Sequence, residues 1–500
     1  MKSRRAVIWR RLPMTPSDVL SLPHPSNHIM MNPPMKKATA LLLAALCTTA
    51  CTFGPKWKKP EMPVPAEFRG KSVGQGNMAD LPWQSVLHDA HLAGLLTDVF
   101  TANRSLTALY HNVDVARQYV TVARVPLFPF VGYGGSSSKG MNQQGGANIA
   151  QTGGITTNPG SLSMSASWEL DLWGKNRRGV ESASASAQAA QEEFNNLRIS
   201  LLRQAACGYL QLLMLDEQLR ITRASVESYR ESLNLFNNQL EYGVADKLQT
   251  ASAQAALSAA EAEIPALEMQ IAELENTLSA LAGRMPGHIA RGGSLRSFAA
   301  ASTVAAGIPA DVLARRPDIR AREQELRSAN AEIGIAIANY FPSISLTAAG
   351  GVASADLRHA INTHRTGWGV GAGVDGNLLG VALDIGRLRA MTRVRKAEFL
   401  AAKANYEQSV LSALAEISTT LIQREKLVEV LSKQEAAVEA YQESVRLSMA
   451  RYKEGASAYY EVLQAQLLLF PAQKQLAAYR YQYASTVPTL YTQLGGGWKQ

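Results

Sequence analysis

The 500-residue chain has no run of about eighteen consecutive apolar residues, which excludes a transmembrane helix. It has only three cysteines, with neither a disulfide framework nor metal-ligand spacing. Cys207 stands alone in a helical pattern and reads as a buried thiol. No nucleophile–base–acid triad, no pair of acids set for a pocket and no cofactor motif is present, so neither an enzyme nor a cofactor is expected. His88 and His91 are three apart on a helical stretch with no third ligand nearby, so they read as surface histidines and no metal is expected. A large excess of one charge is missing too. The formal net charge is +9, but residues 1–50 account for +6, which leaves about +3 on the remainder. That balance argues against a nucleic-acid partner.

What the chain does have is a long two-faced run, SLSMSASWELDLWG, at 161–174. Leu162, Met164, Ala166, Trp168, Leu170 and Leu172 alternate with Ser163, Ser165, Ser167, Glu169 and Asp171. Period two is the mark of a strand with unlike faces. Strands of soluble sheets average about five or six residues, whereas a strand crossing a bilayer needs about nine to eleven. The run therefore predicts a membrane strand, with Ser163, Ser165, Ser167, Glu169 and Asp171 facing a water-filled lumen. Trp168, Trp173 and Trp368 are candidates for the membrane interfaces.

The N-terminal region reads as a targeting segment. Met35-Lys36-Lys37 precedes the apolar ATALLLAAL and the small residues before Cys51, as in a secretory signal peptide spanning 35–50. Residues 1–34 read as a misassigned extension, with translation starting near Met35. The segment resembles a bacterial lipoprotein signal, which makes Cys51 the lipidated first residue of the mature chain. Thr48 stands where such signals usually carry leucine. An extended lipid-anchored segment, 51–80, follows.

The rest repeats itself at a spacing of about 210 residues, as units 81–300 and 301–500. Phe128-Pro129 answers Phe341-Pro342, Gly174 answers Gly386, and Tyr242 answers Tyr452. In each unit a Phe-Pro pair marks a helix-to-strand switch. Strands are expected at about 127–138 and 161–173, then at 342–352 and 366–377. Long helices follow at about 175–240 and 246–282, then 386–452 and 458–491. Apolar residues recur at three-and-four spacing through Leu212, Leu215, Leu219, Val226, Tyr229, Leu233, Phe236 and Leu240, a coiled-coil seam. Pro265 and Pro471 fall inside the return helices, where a kink is expected. Arg315-Arg316-Pro317-Asp318 reads as a helix start, with Pro at the first position and Asp in the first turn.

Four strands cannot close a membrane barrel, and an open sheet edge is not tolerated in lipid. The chain is therefore expected to pool strands with copies of itself, above helical hairpins of about 100 Å.

CTFGPKWKKPEMPVPAEF, SWELDLWGKNRR, IPADVLARRPDIRAREQELRSANAEIGIAIANYFPSISL, RYKEGASAYYEVLQAQ and LGGGW together give a resemblance. The chain resembles the TolC-like outer-membrane efflux proteins, in particular the NodT-type lipoproteins. The resemblance implies a mainly α fold with a membrane β-barrel, four strands per chain in a twelve-stranded trimeric barrel above a periplasmic α-barrel. It implies the passive exit duct of a tripartite pump in the outer membrane, for drugs or other small toxic compounds. A periplasmic adaptor and an inner-membrane transporter of the RND class would be its partners beside the homotrimer and outer-membrane lipid. It also implies adaptor-docking tips at Gly243-Val244-Ala245 and Gly455-Ala456-Ser457, and a periplasmic gate including Tyr452, Lys453, Glu461 and Gln464. Relatives commonly carry Asp where this chain has Gln464, so a charged ring is not expected from that position, and a Lys453–Glu461 pair is the candidate compensation. Protein or peptide export through the same duct, or a non-conducting lipid-anchored scaffold, are the competing functions.

Overall fold

The computed structural model describes residues 52–497 apart from 71–76, 88, 138–139, 143–154, 158–159, 244–245, 296–297, 299–306, 308, 355–365 and 376–377. The signal segment, Cys51, His88, Val244 and Ala245 lie outside the described residues. No described helix is long and apolar enough to cross a membrane.

The main sheet contains β1 (Phe130–Ser137), β4 (Gly160–Leu170), β5 (Ser343–Ser354) and β6 (Thr366–Asp375), all antiparallel in the order β1-β4-β5-β6. Between β1 and β4, β2 (Gly140–Asn142) and β3 (Ile155–Thr157) pair as a short hairpin in a stretch that reads as a loop from sequence. β1 starts later than expected because Val125–Leu127 tighten into a 3₁₀ turn around Pro126. The repeats meet in the sheet: β4 of the first pairs with β5 of the second, which leaves β1 and β6 as edges.

Register aligns the faces. Leu162 pairs with Val352, Ala166 with Ala348, Trp168 with Leu346 and Leu170 with Ile344. Val131 and Tyr133 extend this face into β1, and Trp368, Val370 and Ala372 extend it into β6. It carries no charged residue. From Leu162 to Leu170 it spans about 20 Å once strand tilt is included, close to the roughly 25 Å apolar band of outer-membrane barrels. Gly351 shows how tightly β4 and β5 pack, because a Cβ there would lie 2.6 Å from the Leu162 carbonyl oxygen.

Among the described residues, eight helices carry the rest: α1 (Ala90–Ala102), α2 (Arg104–Arg124), α3 (Lys175–Glu241), α4 (Lys247–Leu281), α5 (Pro309–Arg315), α6 (Pro317–Ala338), α7 (Leu378–Lys453) and α8 (Tyr459–Gln493). A single turn at Trp83–Val86 precedes them. Side-chain caps start α1, α2 and α4: Asp89 accepts from Leu92 N at 2.8 Å, Asn103 from Leu106 N at 2.9 Å, and Asp246 from Gln249 N at 2.9 Å. α3 has 67 residues and α7 has 76, so each is on the order of 100 Å long. α7 starts eight residues before the expected position. Gly386 therefore lies inside a helix, whereas its counterpart Gly174, at φ 74°, sits just outside one. α4 and α8 run on through Pro265 and Pro471, and α8 also through Pro488.

α3 is the spine, packed by α2, α4, α6 and α8, while α7 lies against α6 and α8. The seam residues Leu212, Leu215, Val226, Tyr229 and Phe236 are buried. The largest core joins Leu202, Tyr209 and Leu210 of α3 to Leu278, Ile319, Tyr406 and Tyr491. Tyr209 donates to Asp89 at 3.0 Å, and burial together with that carboxylate pushes its phenol up to about 12.

Residues 52–70 form a strap along the outside of this core. Phe53 stacks on Phe341 with ring centres 4.6 Å apart, and Trp173 stacks on the same ring at 4.9 Å. The buried Arg178 donates to the carbonyls of Phe53 (3.2 Å) and Pro55 (3.1 Å), and Asn330 donates to Pro55 at 3.1 Å. Lys59 pairs with Glu323 at 2.5 Å. The strap thus ties α3 of the first repeat to α6 of the second where the strands meet the helices.

Candidate conduction surfaces

The polar face of the sheet is built from hydroxyls and glycines. Ser163, Ser165 and Ser167 alternate along β4, opposite Gly351, Ala349 and Thr347. Ser345 and Thr347 in turn face Gly373 and Gly371. Phe130, at the helical end of β1, is the one large apolar residue in this register. Glu169 and Asp375 are the only charged residues in the four strands. The Glu169 carboxylate, opposite Ser345, makes no hydrogen bond or ion pair with the described residues. The glycines of WGVGAG belong to this wall and hold no phosphate loop.

Asp171 corrects the sequence reading. Its alternation suggested a lumen residue, but β4 ends at Leu170 and the chain bends through Leu172–Gly174. The Asp171 carboxylate instead accepts from Asn176 N and Arg177 N, both at 3.0 Å, and from Arg177 Nε at 3.0 Å. It caps α3, where the unpaired amides and dipole of a helix start favour a carboxylate. Trp173 donates to the Pro342 carbonyl at 2.7 Å and is held in the aromatic stack. Trp368 and Tyr133, by contrast, are 83% and 89% exposed, as an outward apolar wall requires.

At the far end, the two hairpins turn at Gly243 (φ 72°) and Gly455 (φ 70°), left-handed positions that suit glycine. Ala456 and Gly455 are exposed. The Ser457 hydroxyl is buried and has no hydrogen-bond partner among the described residues. Just above, Tyr452 accepts from Gln239 Nε2 at 3.1 Å and meets the Tyr459 ring edge-on at 5.0 Å. The Tyr459 and Ser232 hydroxyls are 3.0 Å apart, and Ser232 donates to the buried Gln466 at 3.4 Å. Glu461 pairs with Arg451 at 3.3 Å, not with Lys453, since two residues on a helix point about 200° apart. Lys453 and Gln464 are exposed and make no hydrogen bond or ion pair with the described residues.

A two-faced sheet with open edges, set on twin helical hairpins from a duplicated chain, can now be compared with known proteins. The sequence profile of the outer membrane efflux protein family matches residues 95–284 and again 308–496. The chain belongs to this family. Among its relatives, this efflux protein is 31% identical over 472 residues to the toluene efflux pump outer membrane protein TtgC of Pseudomonas putida, covering 93% of this chain and 96% of that one. It is 28% identical over 459 residues to nodulation protein T of Rhizobium leguminosarum bv. trifolii, covering 91% and 96%. Its fold matches the outer-membrane channel OprN with a TM-score of 0.81 at 28% identity, over 90% of this chain and 100% of that one.

The efflux protein brings several of the sequence candidates together and separates others. Ser163, Ser165, Ser167 and Glu169 share one face, and Tyr452, Glu461 and Gln464 gather near the second tip. Arg451, Gln239, Ser232 and Gln466 escaped the sequence reading. The available signal was polar residues such as Ser232 and Gln466 within coiled-coil seams. Arg316 gained a role as well: it holds Asp318 at 2.6 Å, Glu416 at 3.1 Å and the Gln493 carbonyl at 3.3 Å, locking α6 to α7 and α8. Among the described residues no cluster of metal-ligating side chains occurs.

Proposed function

We propose that three copies of this outer-membrane efflux protein close one twelve-stranded barrel, with β1 of each copy against β6 of the next, above a periplasmic tunnel of α-helices. The carrying observation is the sheet itself: one uncharged face about 20 Å tall, one hydroxyl- and glycine-lined face, and two unpaired edges. Exposed apolar residues on the two flanks of the helical layer α2–α3–α6–α7 support contact between copies, with Val115, Tyr119 and Val122 on α2 and Met391 and Val394 on α7. Ser163, Ser165, Ser167 and Glu169 line the lumen.

The protein works as the passive, gated exit duct of a tripartite pump and performs no covalent chemistry. An RND-type inner-membrane transporter drives export. A periplasmic adaptor docks at the tips around Gly243-Val244-Ala245 and Gly455-Ala456-Ser457, where Gly455 and Ala456 are exposed. Lys453 and Gln464 face neighbouring copies at the gate, with Tyr452 and Glu461 held from behind by Gln239 and Arg451. The cargo is small toxic compounds, in keeping with the toluene of TtgC's name. Translation starts near Met35, the signal 35–50 is removed, and Cys51 carries the lipid. The strap supports this anchor by placing Phe53 at the foot of the sheet.

Cross-linking in isolated outer membranes, read as oligomer mass with and without boiling, tests the proposal. A heat-sensitive trimer is expected. A monomer, or protein that washes off with salt, would return the sheet to a soluble role. Mass analysis of the mature N-terminus tests Cys51 separately, and any retained residue before Met35 would refute the assigned start.

A further inference from the structure

The start of α7 shows different faces around its circumference. Leu388, Thr392, Arg395, Phe399 and Tyr406 form its inner edge toward α6. Thr392 Oγ1 donates to the Tyr340 hydroxyl at 3.2 Å, and Arg395 lies 3.5 Å from Glu332. Arg389, Arg393 and Lys396 each follow one of these positions by one residue, about 100° round the helix. Their spacing of four and then three puts them in one stripe. All three are exposed, and none makes a hydrogen bond or ion pair with the described residues. The exposed apolar Met391 and Val394 lie on the other flank.

The stripe is fixed at one height. Tyr340 lies between the end of α6 at Ala338 and the start of β5 at Ser343, so its partner Thr392 stands at the foot of the sheet. The strap marks the outer side. Gly70 of the strap lies against Leu421 and Ile422, further along α7. The strap also adds Lys56, exposed and without a hydrogen bond or ion pair to the described residues, three residues after Phe53.

We propose that Arg389, Arg393, Lys396 and Lys56 form a cationic belt that binds the anionic phospholipid headgroups of the inner, periplasmic leaflet. The inference rests on the sheet lying in the membrane. Unpaired cations at headgroup height, outside an uncharged wall, are the complement of a phosphodiester surface. Three such charges amount to roughly a hundredfold in preference for an anionic over a neutral lipid.

Native mass spectrometry of the full mature chain in neutral detergent reads oligomer mass and retained lipid together. Dioleoyl phosphatidylglycerol should be retained over dioleoyl phosphatidylcholine, with the preference falling as salt rises. The triple variant R389Q/R393Q/K396Q should lose most of the preference, whereas R389K/R393K should keep it. Equal retention of both lipids by the natural chain overturns the proposal, as does an unchanged preference in the triple glutamine variant. Removal of the preference by equimolar glycerol 3-phosphate also overturns it, because the belt would then read free phosphate and not a bilayer. A monomeric mass would count against the trimer, while the lipid ratio would still decide the belt.

Discussion

The helical body and the sheet solve burial in opposite ways. The body buries Leu202, Tyr209, Leu210 and Tyr491 completely within one chain, drawing on helices from both repeats. The sheet buries almost nothing: Leu162, Met164, Val131, Tyr133, Trp368 and Val370 all stay exposed, and two edges stay unpaired. A single chain can therefore supply its own helical core but not its own barrel. In the proposed trimer the sheet's stability comes from lipid on one side and from copies of itself at the edges.

Four substitutions would sharpen or break that contrast. The largest effect is expected for Met164→Arg, on the apolar wall of β4. A cation there costs about 2–4 kcal/mol near the bilayer midplane, incurred in every copy. Heat-sensitive trimers should vanish from gels while circular dichroism still reports the helices. Loss of helix as well would show that the two regions are one cooperative unit. Next comes Leu210→Ala in the body, which should cost about 2–5 kcal/mol, read from the urea midpoint of the helical signal. A cost well below 1 kcal/mol would mean that this core is less continuous than its burial implies.

Asp171→Ala follows, at about 0.5–2 kcal/mol for a lost helix cap. Its single-channel ion selectivity should not change, since the carboxylate serves α3 and not the lumen. The smallest effect belongs to Glu169→Gln. In a salt gradient across a planar bilayer, the reversal potential should move a few millivolts away from cation preference, and the shift should fade in about 1 M salt. If Asp171→Ala moves the reversal potential and Glu169→Gln does not, the two carboxylates have been assigned the wrong way round.

Much of the architecture was legible because it rests on periodicity. The seam from Leu212 to Phe236 and the alternation from Leu162 to Leu170 are local patterns that backbone geometry turns directly into faces. Periodicity fails where a chain stops being regular. Asp171 keeps the alternation of β4 but belongs to the bend that starts α3, and no spacing rule separates the two. Gly386 matches Gly174 in the repeat, yet α7 begins at Leu378 and carries Gly386 in its interior. Arg451 and not Lys453 meets Glu461 because of its rotation about α7, which spacing along the sequence does not reveal. The Ser232–Tyr459–Gln466 contacts join helices from different repeats, more than two hundred residues apart.

That separation matters most for the strap. Its residues, 52–70, precede all their partners in the sequence. Their partners Arg178, Glu323, Asn330 and Gly334 are made later, most of them more than 250 residues down the chain. The strap can therefore be fastened in full only when the second repeat is present, since Glu323, Asn330 and Gly334 all belong to it. A chain that lacked the second repeat would leave 52–70 with only its α3 contacts, so the strap couples the two halves across the foot of the sheet.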